Sequence, residues 1–434
     1  MVERAKSVLF FLICDPVMSF AGSIMPHSTS ATFDLDMEIV DSTEHVSVSV
    51  VDNLRDVEAL RSEWSAMQWH PNSDIDFYTN VVRAWSDRCK PYVLAIRRLG
   101  VLEAILVGRA ETVRVDCNFG YKTLFRMKAR QLTFIYGGTL GEFSYESCLA
   151  ILDTIRATLD RGEADLAEFH FIKTHSNLYR ALKLKERIRE PHATAQLHRS
   201  STVGIGAQDA LRRLSAKRRK NLRWKKLLHD FEGGVNIQIF EAPGSVAQMY
   251  ADVESIACKT YHRQLGVGFD GSEELRQRLT SEGMRGHLRA YVLYLASQPV
   301  AFWIATAYKG ALYSDFMGYD PALAKYSPGM YLITKILEDI CRGESDPTIE
   351  KVDWGLGDAE YKEALGDSSW IEANVKIFSR APRGFALKLA IVPIDMVNAR
   401  LKHALAHSGM LQKVKTRWRR RLTGTEGSVQ QASK

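Results

Sequence analysis

The stretch ALYSDFMGYDPALAKYSPGMYLITKILEDICRGE, residues 311–344, followed by KVDWGLGDAEYK at 351–362, decides the fold. Leu312 to Tyr319 has strand character and closes at Asp320-Pro321. Ser327-Pro328-Gly329 then introduces a helix, with Tyr331, Ile333, Ile336, Leu337 and Ile340 on one face. Ser327 suits the N-cap, Pro328 the first helical position, and Gly329 a close approach of another group to the backbone. The N–H groups of Gly329, Met330 and Tyr331 would point beyond the helix start, an end that favours an anion such as phosphate. A well-capped helix with nothing bound is the other reading of these residues, and both stay open at this point.

Outward from that stretch, the element pattern occurs twice. In the second half, a strand at 235–241 leads to helices at 245–260 and 272–282, a hairpin at 288–296 and 300–308, and the strand and helix just described. A short strand at 350–354, a short helix at 358–365 and a strand at 370–378 close it. In the first half, a strand at 45–51 is followed by helices at 54–69 and 76–87 and strands at 91–98, 101–115 and 131–136. A helix at 145–159, a strand at 165–172, a helix at 175–185 and a strand at 193–203 complete the same order. Such duplication predicts an α+β protein of two tandem repeats. The expected boundaries are a first repeat at 45–204, a basic linker helix at 205–233 and a second repeat at 234–380. C-terminal basic helices at 381–422 and a disordered tail at 423–434 follow, and residues 1–44 are expected to be a disordered extension.

The 434 residues carry a net charge of +7, an apolar fraction of 46% and a charged fraction of 25%, as in globular proteins. The charge is concentrated. Arg212–Lys226 holds nine Lys/Arg, and Lys413–Arg421 holds six more around Trp418. Runs of that kind point to anionic ligands, nucleic acid or a membrane surface, or are simply solvated helix faces. Trp224 is the one aromatic in the first run, which makes nucleic acid an unlikely partner. Cys14, Cys89, Cys117, Cys148, Cys258 and Cys341 show no paired spacing, which argues against zinc and a disulfide framework and fits a reducing, cytoplasmic compartment. The apolar run Val8–Ile13 is too short to span a membrane. His403 and His407 lack a third ligand, so no metal site is expected.

The residues Ala216–Arg223, Gln298–Ala301, Gly318–Pro321, Ser327–Gly329, Asp353–Gly355, Gly357-Asp358 and Tyr361-Lys362 resemble, in order and spacing, the GNAT acyltransferase superfamily. The second half is similar to the acetyltransferase domain of CelD/BcsL-type proteins (BioF-like), which are related to Fem-type aminoacyltransferases. The resemblance covers roughly residues 205–380, and the first half follows as a degenerate GNAT-like repeat. Ser-Pro-Gly replaces the usual Gln/Arg-x-x-Gly-x-Gly/Ala loop, a substitution shared with the Fem-like branch.

The resemblance implies acetyl-CoA or another acyl-CoA as co-substrate, held by Ser327, Gly329, Met330 and Tyr331. It implies an acceptor among nucleotide- or lipid-linked sugars and glycans. Acyl transfer needs proton removal from the nucleophile, oxyanion stabilisation and protonation of the leaving thiolate. Asp353, closing its strand, is the candidate for orienting or deprotonating the acceptor, with a turn-capping role as the alternative. Tyr361 is the candidate thiolate acid, with packing as the alternative. Lys362, for which the sequence offers no packing reason, would steady a phosphate or the oxyanion. Asp358 reads as a helix N-cap. Tyr313 and Asp315, two apart on one strand, and Lys217, Arg218 and Arg219 on the basic helix are the candidate acceptor contacts. The expected function is acyl transfer in surface-polysaccharide biosynthesis, in the cytoplasm with peripheral contact at the inner face of the membrane. Aminoacyl transfer from tRNA and an inactive glycan- or membrane-binding scaffold are the alternatives.

Overall fold

The computed structural model describes residues 46–119, 122–186, 193–260, 263, 268–357 and 359–407. The expectations for residues 1–44, for Asp358 and for the basic run and tail beyond His407 lie outside these. The chain forms two compact units. One takes in the described residues up to Gln196 and those from Ile371 onward, and the other spans Leu197–Trp370.

In the first unit, β1 (Val46–Val51) precedes α1 (Leu54–Ala59) and α2 (Arg61–Met67). Asn53 caps α1 by accepting the Asp56 N–H at 2.9 Å, and the single helix expected over 54–69 is broken at Leu60. Next come α3 (Ile75–Ala84), β2 (Cys89–Pro91), β3 (Val93–Arg98), β4 (Val101–Phe119) and β5 (Lys122–Gly141). α4 (Tyr145–Asp160), β6 (Leu166–Lys173) and α5 (Asn177–Lys185) complete that run. The second unit has β7 (Ala193–Thr202), α6 (Gln208–Lys220), α7 (Leu222–Asp230), β8 (Val235–Phe240), α8 (Val246–Ala257) and α9 (Glu273–Met284). It continues through β9 (Leu288–Leu295), β10 (Gln298–Tyr308), β11 (Ala311–Tyr319), α10 (Pro328–Arg342), β12 (Lys351–Leu356) and α11 (Glu360–Leu365). β13 (Ser368–Phe378) and α12 (Pro382–His407) end the described chain.

The fold is mixed α+β, as the alternating pattern predicts. Pairing runs β1-β3-β4-β5-β6-β13 in the first sheet and β7-β12-β11-β10-β9-β8 in the second. β5 and β6 pair parallel, as do β11 and β12, and every other described pair is antiparallel. The repeats therefore trade their last strands. β7, last in the first repeat by chain order, pairs with β12, and β13 pairs with β6.

Each sheet is covered on both faces. In the first unit α4 and α5 cover one apolar face and α1, α2 and α3 the other. In the second, α6, α7 and α10 lie over Leu293, Trp303 and Trp354, while α8 and α9 lie over Val292, Phe302 and Ile304. The basic segment is thus part of the second unit's core rather than a linker. It is also two helices. Asn221 leaves helical geometry (ψ 104°), and its side chain accepts the N–H groups of Arg223 at 3.1 Å and Trp224 at 3.4 Å, capping α7. Ala210, Leu214, Trp224 and Leu227 are buried, which the sparse apolar residues of this run do serve to anchor.

The first unit holds a buried polar group on β4, β5, β6 and β13. Glu168 accepts from Gln131 at 3.0 Å and pairs with Lys376 at 3.4 Å. Burial alone would raise its carboxyl, but Lys376 and His170 bring it below the ordinary value. Burial pushes the His170 imidazole below its ordinary range. A histidine held neutral by folding takes up its proton only in the unfolded chain. Its contribution is fully present above the unfolded value, about 6.5, and is lost as pH falls below it. Glu168 acts in the same direction at lower pH. Between pH 7.5 and 5.5 the wild-type unfolding free energy should fall, with His170 supplying no more than about 1.4 kcal/mol per pH unit. Denaturant titration of His170→Gln should show a shallower fall; an unchanged slope would remove His170 as its source.

Candidate functional site

The parallel pair β11–β12 is joined over three residue pairs only: Ala311 with Lys351, Leu312 with Val352 and Tyr313 with Asp353. Beyond them β11 continues to Tyr319 and β12 to Leu356 without pairing to one another. The two strands part directly after Tyr313 and Asp353. A bulge follows at once on β11, where Ala305 faces Ser314 and Ile304 faces Phe316, so that Asp315 is the extra residue.

Asp353 is buried at this fork. Its Oδ1 lies 2.6 Å from His198 Nε2 and accepts the Gly355 N–H at 2.8 Å. Gly355 reaches back because its φ is +66°, which glycine adopts without strain. His198, from β7, is fully buried and stacks on Trp370 with ring centroids 4.4 Å apart. Tyr313 sits opposite Asp353, and burial, with the Asp353 charge adding to it, raises its phenol well above the ordinary value. The fork thus carries a carboxylate, an imidazole and a protonated phenol. Sequence reading found Asp353 and Tyr313 and missed His198. The only available signal was a histidine in the alternating run at 193–203, and nothing local says that β7 lies against β12.

The start of α10 departs from the expectation for Ser327. That residue is left-handed (φ +52°, ψ +53°), and its side chain caps no N–H. Its Oγ instead accepts from Arg223 Nη1 at 3.3 Å. The Tyr331 N–H is also not free, since it bonds to the Ser327 carbonyl at 3.1 Å. The N–H groups of Gly329 and Met330 have no acceptor among the described residues. A Cβ at Gly329 would stand 3.4 Å from the Tyr319 ring, so the α10 start lies beside the end of β11. Two amides and the Arg223 guanidinium therefore meet at the end of the sheet where β11 and β12 have parted.

Other candidates lie elsewhere. Asp315 is committed to Thr306 Oγ1 at 2.7 Å and Arg278 at 3.2 Å, tying β11 to α9. Arg218 lies 2.6 Å from Glu338, which is fully buried on α10, so it fastens α6 to α10. Lys217 is half-buried, and loss of solvent lowers its ammonium below the ordinary value. Arg219 is exposed. The Tyr361 ring meets Trp354 edge-on at 6.2 Å, on the face of β12 that alternates with Asp353. Lys362 does have a packing reason. It is buried, and its Nζ donates to the Leu356 carbonyl at the end of β12. Among the described residues no group of His, Cys, Asp and Glu could hold a metal ion.

Residues 216–363 match the family model described as an acetyltransferase (GNAT) domain. No curated protein matches the chain. Among solved structures, FemX is similar with a TM-score of 0.47 and 9% identity, over 76% of this chain and 98% of that one. A tandem GNAT protein from the clavulanic acid biosynthesis pathway gives 0.42 and 9%, over 76% and 98%. The C-terminal domain of a putative lysylphosphatidylglycerol synthetase from Agrobacterium fabrum gives 0.41 and 11%, over 77% and 94%.

Removing the Lys362 ammonium leaves the half-buried Leu356 carbonyl at the end of β12 without that donor. Lys362→Ala should lower the unfolding free energy by about 2 kcal/mol, and Lys362→Met by a similar amount. Thermal or denaturant unfolding checks this. Wild-type stability in both variants would return Lys362 to a purely chemical role.

Proposed function

Because residues 216–363 are a GNAT-type acetyltransferase domain, we propose that the second unit transfers an acetyl or other short acyl group from acyl-CoA to an amine or hydroxyl of a sugar or glycan precursor in surface-polysaccharide assembly. The observation that carries this reading is the end of β11–β12 pairing at Tyr313 and Asp353. Past that point, backbone groups of both strands are left to bind something other than each other. An extended amide-bearing arm such as pantetheine suits such a gap. The amides of Gly329 and Met330, with Arg223, suit the phosphates at the arm's other end.

Within this reading, Asp353 orients the acceptor, and the Asp353–His198 pair takes its proton as the nucleophile attacks the thioester carbonyl. Backbone N–H groups at the fork receive the developing oxyanion. The carbon–sulfur bond breaks, and a phenol returns a proton to the thiolate. Tyr361 is the assigned donor, and Tyr313, protonated at the fork, is the second phenol within the same unit. Lys362 holds the end of β12, and Lys217 and Arg219 remain as cationic acceptor contacts.

Calorimetry with acetyl-CoA tests the donor. Wild type should bind, and Arg223→Glu should weaken binding about tenfold, or about 1.4 kcal/mol. Asp353→Asn should keep that binding and cut acetylation of an amino-sugar acceptor by about a hundredfold. Absence of acetyl-CoA binding together with tight binding of charged tRNA would move the function to aminoacyl transfer. Binding of neither would leave a scaffold.

A further inference from the structure

The last helix of the first unit carries apolar side chains beyond the stripe that it buries. Leu387 and Ile391 are buried against Cys117 and Ala129 of the β4–β5 hairpin. The opposite side has no such cover. Phe385 is 57% exposed, Leu389 58%, Val397 49% and Leu401 46%. Phe385, Leu389 and the exposed Pro393, four apart, lie within about 80° of one another on α12, and Val397 and Leu401 carry the stripe further round the helix. A helix hydrophobic on both sides is ordinarily buried on both.

A second group of exposed apolar side chains belongs to the same unit. Phe119 is 43% exposed, Leu124 51% and Phe125 44%, all at the end of the β4–β5 hairpin. The Asn398 side chain donates to the Asn118 carbonyl at 2.7 Å, which ties that hairpin end to the C-terminal half of α12. Helix side and hairpin end are therefore neighbouring parts of one unit.

The sequence that carries this helix is strongly basic. From Pro382 to Leu422 the basic residues are Arg383, Lys388, Arg400, Lys402, Lys413, Lys415, Arg417, Arg419, Arg420 and Arg421, and the only acid is Asp395. Asp395 is partly buried, and burial raises its carboxyl, with the Lys376 charge opposing, so it offsets little of this. On the hairpin, Lys128 adds to it, while Arg126 is paired with Asp116 at 2.9 Å.

We propose that the outer side of α12 and the end of the β4–β5 hairpin form a docking surface for an anionic lipid bilayer, with the helix lying in the plane of the headgroups. Among the described residues no helix is long and apolar enough to cross a membrane, so α12 lies on the bilayer rather than through it. The cations flanking the apolar side meet acidic headgroups. They argue against a second copy as the occupant, because a two-fold interface would set the exposed Arg383, Lys388 and Arg400 against the same cations of the other copy. The surface lies in the first unit and is independent of the acyl-transfer reading. Its role would be to hold the enzyme where a lipid-linked acceptor is found.

Cosedimentation of the full chain with vesicles tests this. Wild type should partition onto vesicles of equal phosphatidylcholine and phosphatidylglycerol and not onto phosphatidylcholine alone. Phe385→Ser with Leu389→Ser should lower partitioning at least tenfold, and Phe125→Ser with Leu124→Ser at least threefold. These residues are exposed, so circular dichroism and the unfolding midpoint should stay at wild-type values, as should acetyl-CoA binding if the wild type binds it. Absence of wild-type binding, or wild-type partitioning of both double variants, would overturn the proposal. So would a wild-type dimer by light scattering that the Phe385/Leu389 variant converts to monomer, since a second copy would then be the occupant.

Discussion

A carboxylate in the interior of a sheet must be hydrogen-bonded or it will not stay ionised there. Asp353 meets that constraint with two donors, the Gly355 N–H behind it and the His198 ring beside it. Much of the second unit follows from those two bonds. The first requires a left-handed residue two places on, which accounts for a glycine in the turn leaving β12. The second requires that β7 lie against β12, although it precedes β8 to β11 in the chain. The strand exchange between the units is thus also what supplies the imidazole. A unit made of one repeat alone would keep Asp353 and lose its partner.

The order of elements was legible because each depends on local signals. Alternation of Val and Ser marks β1, and helical spacing with Ser-Pro-Gly before it marks α10. The pairing of β7 and β13 was not legible, since a strand's own pattern shows that one face is buried and not against which neighbour. The same limit hid His198, whose significance depends wholly on that pairing. The division of the basic run into α6 and α7 turned on the side chain of Asn221 folding back on two amides, in a stretch whose propensities otherwise favour one helix.

The opening motif was read correctly as a helix start and incorrectly in its detail. Ser, Pro and Gly in succession fit a capped first turn, yet Ser327 takes a left-handed backbone that carries its hydroxyl away from the N–H groups. The consequence favours anion binding more than the expected geometry would. A hydroxyl capping the second or third amide would compete with a bound phosphate for it. Here the hydroxyl accepts from Arg223, and the amides of Gly329 and Met330 have no acceptor among the described residues. The left-handed conformation of a non-glycine residue costs of order 1–3 kcal/mol, and Ser327 adopts it at a helix start beside the parting of two strands.

The two repeats place a carboxylate at the same point and treat it differently. Glu168 is the third residue of β6 and faces Thr133 across a parallel pair, as Asp353 is the third residue of β12 and faces Tyr313. Glu168 meets the Lys376 ammonium, whose charge helps to hold the carboxyl below its ordinary value. Asp353 meets the His198 imidazole. One pair joins two side chains of opposite charge, and the other is the pair to which the proposed acyl transfer assigns removal of the acceptor's proton. The carboxylate is common to both. Its partner, delivered by the exchanged strand in each unit, is what differs, an ammonium in the first and an imidazole in the second.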